Sequence, residues 1–466
     1  MTEKKTMGID MNKRVIPRFN GASDDPFIEA RLREVMDHMY GFYHTEIELS
    51  LDRTYRFLER LGNPHLRLPQ VVHVAGTNGK GSTIATLRAL LEASGQTVHI
   101  YSSPHLVHPT ERIRLAGNPI TSQGLIDVLT ECIEINNGEP ITFFEMFTCA
   151  AFLAFSRVSA DWLLLETGMG GRLDTTNVVA HPKLAIITTI SYDHMKFLGD
   201  SLTQIAFEKA GIMKSGVPCV IGHQTDEAVQ AGVINVFQNY STNLSTEAPL
   251  VREGAHWASA PESDQLLFRY GSDSIALPKP ALLGNHQYWN AGAALAAFRI
   301  IAPEHFKADT LSTGLANVEW PGRLQTLETH PYKDLLPEDW HLIIDGGHND
   351  SAGMVLGEQM KSWKEHDPRA LHIIIAMVNR KDPAAFLKPL LPYAASITAT
   401  RIKGEATSFQ PDELAVLARE LGFQNVSSAP DARTALVQLA ARHKNKKKSR
   451  VLITGSLFLM GNILAE

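Results

Sequence analysis

The sequence predicts an α/β protein, because two observations favour parallel strands covered by helices on both faces. First, short apolar runs rich in β-branched residues alternate with helical patterns in the first half of the chain. Second, a similar series of strand and helix patterns opens again near residue 341. The strand-like runs are VVHVA (71–75), TVHIY (97–101), DWLLLET (161–167), LAIITTI (184–190) and VPCVIG (217–222), followed by HLIIDGGHN (341–349), LHIIIAM, ASITATRI and VLITGSL.

The segments between these two series indicate how the chain is divided. After about residue 240, the polar stretch GAHWASAPESDQ predicts short antiparallel strands or loops. The alanine-rich stretch 286–302 predicts a helix. We place a domain boundary near residues 316–325, around NVEWPGR, which gives a larger domain of residues 1–318 and a smaller domain of residues 319–466.

Composition and charge exclude several classes of protein. With 44% hydrophobic and 20% charged residues, the chain is typical of a globular protein with a large core. The formal net charge of −6 argues against binding to nucleic acid or to an anionic membrane, because such proteins normally carry a basic excess. The start of the chain, MTEKKTMGIDMNKR, has no apolar signal region, and no segment approaches the roughly 18 apolar residues of a membrane span.

The cysteines indicate the compartment. Cys132, Cys149 and Cys219 are widely spaced and odd in number, so they match neither a disulfide framework nor a zinc motif. A reducing cytoplasm fits this pattern. We therefore expect a cytoplasmic protein whose partners are small molecules, with no nucleic acid and no membrane among them.

The stretch VVHVAGTNGKGST, residues 71–83, joins an apolar strand to a glycine-rich turn that carries a lysine and hydroxyl groups. Glycines allow successive backbone N–H groups to converge on an anion, and Lys80 adds a point charge for the outer phosphates. The helix that begins near Lys80 adds its positive end. The strict P-loop pattern has Ser or Thr directly after Gly-Lys, whereas Gly81 stands here before Ser82 and Thr83. A tight structural connection is the alternative that these residues alone leave open.

The run Gly-Thr-Asn-Gly-Lys-Gly-Ser-Thr resembles the phosphate loop of the Mur ligase superfamily and, within it, of the bacterial folylpolyglutamate synthase and dihydrofolate synthase branch. Further stretches resemble motifs of that branch and follow its order over roughly residues 40–460. They are TEIELSLDR (45–53), YSSPHLVHPTERIRLAG (101–117), TFFEMFTCAAF (142–152), ETGMGGRLDTTN (166–177), SYDHMKFLG (191–199), EKAGIMK (208–214), GNHQYWNA (284–291), PGR (321–323) and DGGHN (345–349). The resemblance implies a Mur-ligase-like α/β fold, with an N-terminal P-loop ATPase domain around a parallel sheet and a smaller C-terminal Rossmann-like domain.

The resemblance also assigns the nucleotide contacts and the catalytic groups. Arginine suits phosphates because its planar fork can bind them at two points. The implied catalytic residues are Lys80, His348 and Asp345, and His348 with Asn349 would position the incoming glutamate. From the residues alone, DGGHN also fits a strand-to-helix turn in which Asp345 caps the helix. The implied ATP-binding residues are Asn78, Gly79, Lys80, Gly81, Ser82, Thr83, Asn290, Arg323 and Asp345.

A nucleoside triphosphate binds with a divalent cation, and Mg²⁺ prefers oxygen ligands. Glu166 ends the strand DWLLLE and His194 follows the next strand along the chain, so we expect these strand ends to be neighbours at the carboxyl edge of the sheet. The resemblance assigns metal binding to Ser103, Glu166 and His194, and it implies ATP and one or two Mg²⁺ ions, with K⁺ as a further cation. It also implies that Lys209 is carbamylated. Taken singly, each of these residues also fits an ordinary structural role, and histidine is an uncommon Mg²⁺ ligand.

The predicted folate pocket combines aromatic rings with carboxylates. In TFFEMF, Phe143 and Phe144 offer aromatic faces, and Glu145 offers a carboxylate that suits the aminopyrimidine edge of a pterin. Phenylalanines beside a helical run also fit a hydrophobic core. The resemblance assigns pterin or folate binding to Ile47, Glu48, Phe144, Glu145 and Asp174.

The function that the resemblance implies is an ATP-dependent ligase that joins L-glutamate to 7,8-dihydropteroate and to tetrahydrofolate. An amide does not form in water without activation, so ATP would convert the acceptor carboxylate into an acyl phosphate that the glutamate amine attacks. Three alternatives stay open: an enzyme with one of these activities, another Mur-type ligase that acts on a UDP-linked peptidoglycan precursor, and a nucleotide-binding regulator without catalysis. Asn78 with Gly81 argues against the second, and Lys80, Glu166 and His194 argue against the third. The family also implies a monomer.

Overall fold

The computed structural model describes residues 21–41, 50–443 and 448–466 of the chain, and three β-sheets organise these residues. The strands are β1 Gln70–Ala75, β2 Val98–Tyr101, β3 Ile113–Leu115, β4 Asn118–Pro119, β5 Trp162–Glu166, β6 Leu184–Ile187, β7 Cys219–Ile221, β8 Leu250–Arg252, β9 Trp257–Glu262, β10 Gln265–Tyr270, β11 Asp273–Pro278, β12 Gln325–Thr326, β13 His341–Asp345, β14 Ala370–Ile375, β15 Ser396–Ala399, β16 Val426–Ser428 and β17 Ser449–Thr454. The α-helices are α1 Pro26–Tyr40, α2 Asp52–Arg60, α3 Lys80–Ala93, α4 Ser122–Asn136, α5 Phe143–Phe155, α6 Met195–Leu198, α7 Leu202–Ala210, α8 Asp226–Gln230, α9 Val233–Thr242, α10 His286–Ile301, α11 Ala308–Ala316, α12 Asp350–His366, α13 Pro383–Leu387, α14 Pro411–Glu420, α15 Ala432–Arg442 and α16 Leu457–Leu464.

The first sheet has the strand order β4-β3-β2-β5-β1-β6-β7-β8. Strands β2, β5, β1, β6, β7 and β8 run parallel, while β3 and β4 extend one edge as antiparallel pairs. Strands β5 and β6 are buried along their whole length, because helices cover both faces of the sheet. The parallel sheet that the apolar runs predict is confirmed.

Two layers of helices bury the faces of the first sheet. Helices α1, α4 and α5 pack on one face, and α3, α10 and α11 pack on the other. The predicted helix 286–302 is confirmed as α10, whose alanines let it approach α3 closely. The polar stretch before it forms β9, β10 and β11, which pair as a small antiparallel sheet, as its sequence predicts.

The second large sheet has the order β12-β13-β17-β14-β15-β16. Its strands run parallel except for β12, which pairs antiparallel to β13 at the edge. Helices lie on both faces, and each face has its own hydrophobic core. The second series of strands and helices predicted from the sequence is therefore confirmed as a separate α/β layer structure.

The chain passes between the two large sheets in the connection from α11 to β12. Helix α11 ends at Ala316 and β12 begins at Gln325. We propose the division between residues 318 and 319, which lies in this connection, as the domain boundary, and we call the two parts the N-terminal and C-terminal domains. Among the residues that the structure describes, no helix has the length and apolar character needed to cross a bilayer.

Candidate active site

The glycine-rich turn connects the carboxyl end of β1 to the first residue of α3. Gly79 precedes the helix with a φ of 89°, a left-handed conformation that glycine adopts without strain. The ammonium of Lys80 lies 3.1 Å from the carbonyl oxygen of Gly76 and 3.3 Å from that of Thr77. A cation, the N–H groups at the start of α3 and the helix dipole thus meet at one turn, and this combination favours phosphate binding.

Two positions of the turn have no room for a side chain, which explains why they are glycines. A Cβ atom on Gly79 would lie 2.4 Å from Oδ1 of Asn290, so the predicted ATP-binding residue Asn290 does lie against the turn. A Cβ atom on Gly81 would lie 2.5 Å from the indole ring of Trp320. Trp320 occupies the space that a side chain would need at the position where the strict P-loop pattern has Ser or Thr. No local sequence pattern marks Trp320 as part of the site.

A buried amide holds the hydroxyl group that follows Gly81. Gln287 donates through Nε2 to Oγ of Ser82 over 3.4 Å, and it accepts a hydrogen bond of 2.9 Å from Nδ2 of Asn290. Ser82, Thr83, Gln287 and Asn290 are all buried. The first turn of α10 therefore supports the first turn of α3 through a network in which Ser82 and Asn290 were predicted from the sequence and Gln287 was not.

Glu166 lies at the end of β5, beside the phosphate loop. Its Oε1 is 4.0 Å from Nζ of Lys80, and its Oε2 accepts a hydrogen bond of 3.2 Å from the backbone N–H of Ser103. Burial raises the pKa of Glu166, while Lys80 opposes this rise. A buried carboxylate next to a serine provides oxygen donors of the kind that Mg²⁺ prefers, so Glu166 and Ser103 fit the implied metal.

His194 has different surroundings. Its φ is 52°, its side chain is 46% exposed, and its Nε2 lies 3.9 Å from Oδ1 of Asp193. Because β1 lies between β5 and β6 in the sheet, the expectation that the strand ends before Glu166 and His194 are neighbours is wrong. Strand order is a long-range property that the two local motifs do not encode. Within the described ranges, no three His, Cys, Asp or Glu side chains form a group that could hold a metal ion.

Lys209 is buried and reaches the phosphate loop from α7. Its Nζ donates to the carbonyl oxygen of Gly76 over 2.9 Å, so Lys80 and Lys209 share one acceptor. Burial, together with the charge of Lys80, lowers the pKa of Lys209 to about 7. A substantial fraction of Lys209 is therefore a neutral amine near neutral pH, and a neutral amine is a nucleophile.

The C-terminal domain contributes Arg323 and Asp345. Oδ2 of Asp345 accepts a hydrogen bond of 2.9 Å from the backbone N–H of Leu324, and Oδ1 accepts one of 2.7 Å from Gly347. Burial raises the pKa of Asp345, and the nearby Arg323 opposes the rise. Asp345 thus ties the Arg323 turn to the end of β13. The alternative in which Asp345 caps the following helix is wrong, because Asn349 is the N-cap of α12.

His348 and Asn349 continue this turn toward the phosphate loop. Asn78 and Asn349 exchange hydrogen bonds of 3.4 Å and 3.2 Å between their side-chain amides, which brings the two domains together at the turn. Nδ1 of His348 donates to the carbonyl oxygen of Gly346 over 2.8 Å, so its Nε2 keeps the lone pair in the neutral ring. Burial and the charge of Lys381 lower the pKa of His348 to about 4.

An ion pair between the domains lies close to the same histidines. Nζ of Lys381 is 2.6 Å from Oδ1 of Asp193, and the two side chains are 14% and 16% exposed. Burial alone would raise the pKa of Asp193, but His194 and Lys381 hold it well below its usual range. Sequence reasoning missed both partners, because neither stands out locally and they are 188 residues apart.

The predicted folate residues are only partly free to meet a ligand. Arg53 pairs with Glu145 over 3.2 Å, and Glu145 also accepts from the backbone N–H of Thr142 as part of a capping box. The ring of Phe144 packs against Gly168, where a Cβ atom would lie 2.4 Å from it. Asp174 is buried and accepts N–H bonds of 2.8 Å from Met169 and 3.0 Å from Thr176.

The other two residues assigned to this pocket, Ile47 and Glu48, lie outside the described residues. Phe143, which the sequence analysis also considered, stacks on Tyr40 of α1 with ring centroids 4.4 Å apart. Arg112 lies over the same ring, 5.5 Å from its centroid. The aromatic cluster is thus a junction of α1, α5 and the loop before β3, and sequence reasoning missed Tyr40 and Arg112.

Comparison with known families places both halves of the chain. Residues 74–298 match the model of the Mur ligase middle domain, and residues 327–466 match that of the dihydrofolate synthetase C-terminal domain. The dihydrofolate synthetase of Saccharomyces cerevisiae is 31% identical over 434 residues, which cover 90% of this chain and 97% of the relative. The dihydrofolate synthase/folylpolyglutamate synthase of Bacillus subtilis is 31% identical over 439 residues, covering 91% of this chain and 96% of the relative.

Solved structures agree with these matches. Escherichia coli FolC in complex with DHPP and ADP superposes with a TM-score of 0.81 at 29% identity, covering 93% of this chain and 97% of that chain. A bifunctional folylpolyglutamate synthase/dihydrofolate synthase with Mn, AMPPNP and L-glutamate bound has a TM-score of 0.77 at 28% identity, with coverage of 93% and 97%. The Mur-ligase-like α/β fold expected from the motifs is confirmed.

Proposed function

The chain belongs to the dihydrofolate synthase/folylpolyglutamate synthase family of ATP-dependent ligases, and from this premise we propose that it joins L-glutamate to 7,8-dihydropteroate and to tetrahydrofolate. The first reaction gives dihydrofolate, and the second gives folate polyglutamates. One observation carries the proposal: the exchange of hydrogen bonds between Asn78 and Asn349 brings the phosphate loop of one domain against the His348 turn of the other. The residues that we propose for the nucleotide and for the amino acid are therefore neighbours, which supports the proposal.

The chemistry has two steps. The acceptor carboxylate attacks the γ-phosphorus of ATP, which forms an acyl phosphate and releases ADP. The amine of L-glutamate then attacks the acyl carbon, which forms the amide and releases phosphate. Lys80 and the N–H groups of the loop would stabilise the charge on the transferred phosphoryl group, and Arg323 would add a second cation from the C-terminal domain.

We propose Mg²⁺ as the divalent ion and Glu166, Ser103 and His194 as the residues that would hold it. The carboxylate of Glu166 and the hydroxyl of Ser103 have the chemistry for this, and His194 would have to approach them from its exposed position. When bound, the cation neutralises charge on the phosphate oxygens. K⁺ stays a prediction from the family resemblance.

Lys209 is proposed to carry a carbamate. The ammonium would first lose one proton, and the neutral amine would then attack CO₂, forming an N–C bond and releasing a second proton, so that an anion replaces a cation beside Lys80. This change removes the repulsion between two ammonium groups that share the carbonyl of Gly76. The same position near the phosphate loop makes the carbamate a candidate anchor for a second cation.

For the incoming amine, we propose His348 rather than Asp345 as the orienting group. Both oxygens of Asp345 accept backbone N–H bonds, whereas Nε2 of His348 keeps a lone pair. Its low pKa keeps the ring neutral, so His348 can accept a hydrogen bond from the amine of glutamate. Asp345 would then act by holding the Arg323 turn in place. The proposed pterin-binding residues stay Ile47, Glu48, Phe144, Glu145 and Asp174.

An enzyme with dihydrofolate synthase activity alone is the second candidate. It is favoured by the match of residues 327–466 to a dihydrofolate synthetase domain and by the similarity to the S. cerevisiae enzyme of that name. In either case we propose a cytoplasmic monomer that acts on small molecules.

The deciding experiment measures ADP release by the purified chain with Mg-ATP and L-glutamate. The acceptor is 7,8-dihydropteroate in one series and tetrahydrofolate in the other, and Lys80→Ala is the control. Turnover with both acceptors supports the bifunctional enzyme, and turnover with dihydropteroate alone supports the second candidate. If neither acceptor gives turnover above the control, the folate assignment is wrong.

A further inference from the structure

A histidine lies in the central strand of the first sheet, in an otherwise apolar run. His73 of β1 is fully buried, and β1 pairs with β5 on one side and with β6 on the other. Burying a polar ring costs free energy unless the ring forms hydrogen bonds. Burial and the charge of Lys214 lower the pKa of His73 to about 3, so the ring is neutral at physiological pH. The nucleotide and metal contacts proposed above leave this histidine without a role.

The ring of His73 is connected to Asp174 through one hydroxyl group. Nε2 of His73 lies 2.8 Å from Oγ1 of Thr176, and Oγ1 of Thr176 lies 2.5 Å from Oδ1 of Asp174. All three residues are buried. Their side chains therefore form one continuous chain of hydrogen bonds, which runs from the core of the sheet to Asp174.

The single proton of the Thr176 hydroxyl fixes the direction of both hydrogen bonds. A carboxylate accepts only, so Thr176 donates to Asp174, and Nε2 of His73 must then donate to Thr176. The neutral ring consequently carries its proton on Nε2 and its lone pair on Nδ1. Within the described part of the chain, Nδ1 is buried and has no hydrogen-bond partner. The hydrogen bond to Thr176 is thus the contact that a substitution of His73 would remove.

The donors around Asp174 hold its carboxylate in one orientation and favour its charged form. Oδ1 accepts from the hydroxyl and, over 3.0 Å, from the backbone N–H of Thr176, and Oδ2 accepts from the backbone N–H of Met169 over 2.8 Å. Burial raises the pKa of Asp174, and these hydrogen bonds oppose the rise. An ionised carboxylate suits the N–H groups on the aminopyrimidine edge of a pterin, because it offers acceptors alone.

We propose that His73 is a positioning residue for the folate acceptor: it holds the hydroxyl of Thr176 on Asp174, and thereby keeps this carboxylate in the orientation and charge state that a pterin edge requires. The inference rests on the proposed pterin contact of Asp174 and names the residues that support this contact. His73 and Thr176 act through Asp174 and do not themselves touch the pterin.

The test compares the affinity for 7,8-dihydropteroate with the affinity for ADP. The Kd of dihydropteroate is measured by calorimetry on the full-length protein in the presence of Mg-ADP. Thr176→Val removes the donor to Asp174 and weakens dihydropteroate binding about tenfold, and His73→Leu removes the donor to Thr176 and weakens it at least about fivefold. KM for dihydropteroate rises in parallel in both variants. The kcat and the Kd of ADP stay near the wild-type values, because the chain of hydrogen bonds ends at Asp174 rather than at the phosphate loop.

Conservative variants separate the donors from the packing of the side chains. The amide nitrogen of glutamine reaches about as far as Nε2 of histidine, so His73→Gln keeps dihydropteroate affinity within about twofold of the wild type. Thr176→Ser keeps the hydroxyl and has the same effect. When His73→Leu is combined with Thr176→Val, the loss equals that of Thr176→Val alone, because the ring acts only through the hydroxyl.

The matched control is His99→Leu, which removes another fully buried histidine, on β2, whose Nε2 donates to the carbonyl oxygen of Val158. It lowers the thermal stability and leaves the Kd of dihydropteroate unchanged. If His73→Leu does not fold, His73→Asn takes its place, because the shorter amide cannot reach Thr176.

Two results overturn the proposal. One is a dihydropteroate affinity in Thr176→Val that stays within about twofold of the wild type. The other is an equal loss in His73→Gln and His73→Leu, which would show that packing matters and the donor does not. Wild-type protein that binds dihydropteroate without turnover contradicts the proposed function, and the affinities of the variants still decide the role of His73. Wild-type protein that does not bind dihydropteroate overturns both.

Discussion

Removing the ion pair between Lys381 and Asp193 tests whether the two domains must be held together for the glutamate step. In Lys381→Met, Asp193 loses a partner at 2.6 Å in a place where both side chains are about 15% exposed. Hydrogen bonds to charged groups contribute about 1.5–3 kcal/mol, and exposed ion pairs contribute about 0–1 kcal/mol. For a pair buried to this degree, we expect the contact between the two domains to lose about 2 kcal/mol of stabilisation. This loss lowers the population in which the two domains are held together roughly 30-fold.

The assay is kcat/KM for L-glutamate, measured by ADP release at saturating ATP and acceptor. We expect kcat/KM to fall roughly 30-fold in Lys381→Met. ADP affinity should change little, because the phosphate loop belongs to the N-terminal domain and ADP lacks the phosphoryl group that Arg323 is proposed to contact. Lys388→Met, which replaces an exposed lysine of the same domain, is the control. In a double-mutant cycle, the variant that combines Lys381→Met with Asp193→Asn should lose about as much kcat/KM for L-glutamate as the more damaging of the two single variants. Additive losses, or full activity in Lys381→Met, would refute the reasoning.

Three further predictions concern the loop, the buried lysine and α5. Gly81→Ala places a methyl group 2.5 Å from the Trp320 ring and should weaken ADP binding, measured by calorimetry, at least about tenfold. Adding Trp320→Ala to this variant should partly restore the affinity for ADP. Unchanged ADP affinity in Gly81→Ala would contradict the packing argument. Carbamate on Lys209, followed by ¹³C NMR with labelled bicarbonate, should increase as the pH rises through about 7, because deprotonation supplies the reactive amine. A carbamate signal that is independent of pH, or one that is retained in Lys209→Met, would exclude a carbamate on Lys209. Arg53→Met should lower the free energy of unfolding, measured in urea, by about 2–3 kcal/mol, because Glu145 is 5% exposed and loses its ion-pair partner Arg53. A change below about 0.5 kcal/mol would contradict this prediction.

The depressed pKa of Lys209 also fixes the sign of a stability change. Its ordinary pKa is 10.5, and the folded chain lowers it to about 7. Between these two values the unfolded chain binds more protons at this residue than the folded chain. The contribution of Lys209 to the free energy of unfolding therefore increases as the pH rises from about 7 to 10.5, and Lys209→Met should remove this dependence.

Local sequence patterns were sufficient for the elements but not for their arrangement. The buried strands β1, β5 and β6 are short apolar runs between helical patterns, and such runs can be recognised from the local sequence. The insertion of β1 between β5 and β6 depends on crossover connections, which leave no local signal. The antiparallel edge formed by β3 and β4 was missed for a related reason, because three- and two-residue strands are too short to show a period.

In the candidate site too, the local motifs could be predicted from the sequence, whereas the contacts between distant residues could not. The phosphate loop could be predicted because its parts lie within one turn of the chain. Glu145 was assigned to the pterin, and the structure engages it with Arg53, 92 residues away. An ion pair at that separation is determined by helix packing, in this case α2 against α5, and a single sequence does not encode it in a recognisable pattern.

The departure from the strict P-loop pattern can now be explained by domain contact. Three contacts join the C-terminal domain to the nucleotide edge of the first sheet: Trp320 with Gly81, Asn349 with Asn78, and Lys381 with Asp193. A ligand that binds both sides favours the arrangement in which these contacts are made. An acyl phosphate is lost to hydrolysis if water reaches it before the amine does, so the chemistry needs a closed cleft. A glycine at position 81 admits the tryptophan that helps to close it, and this requirement accounts for the residue where hydroxyl-bearing side chains stand in the strict pattern.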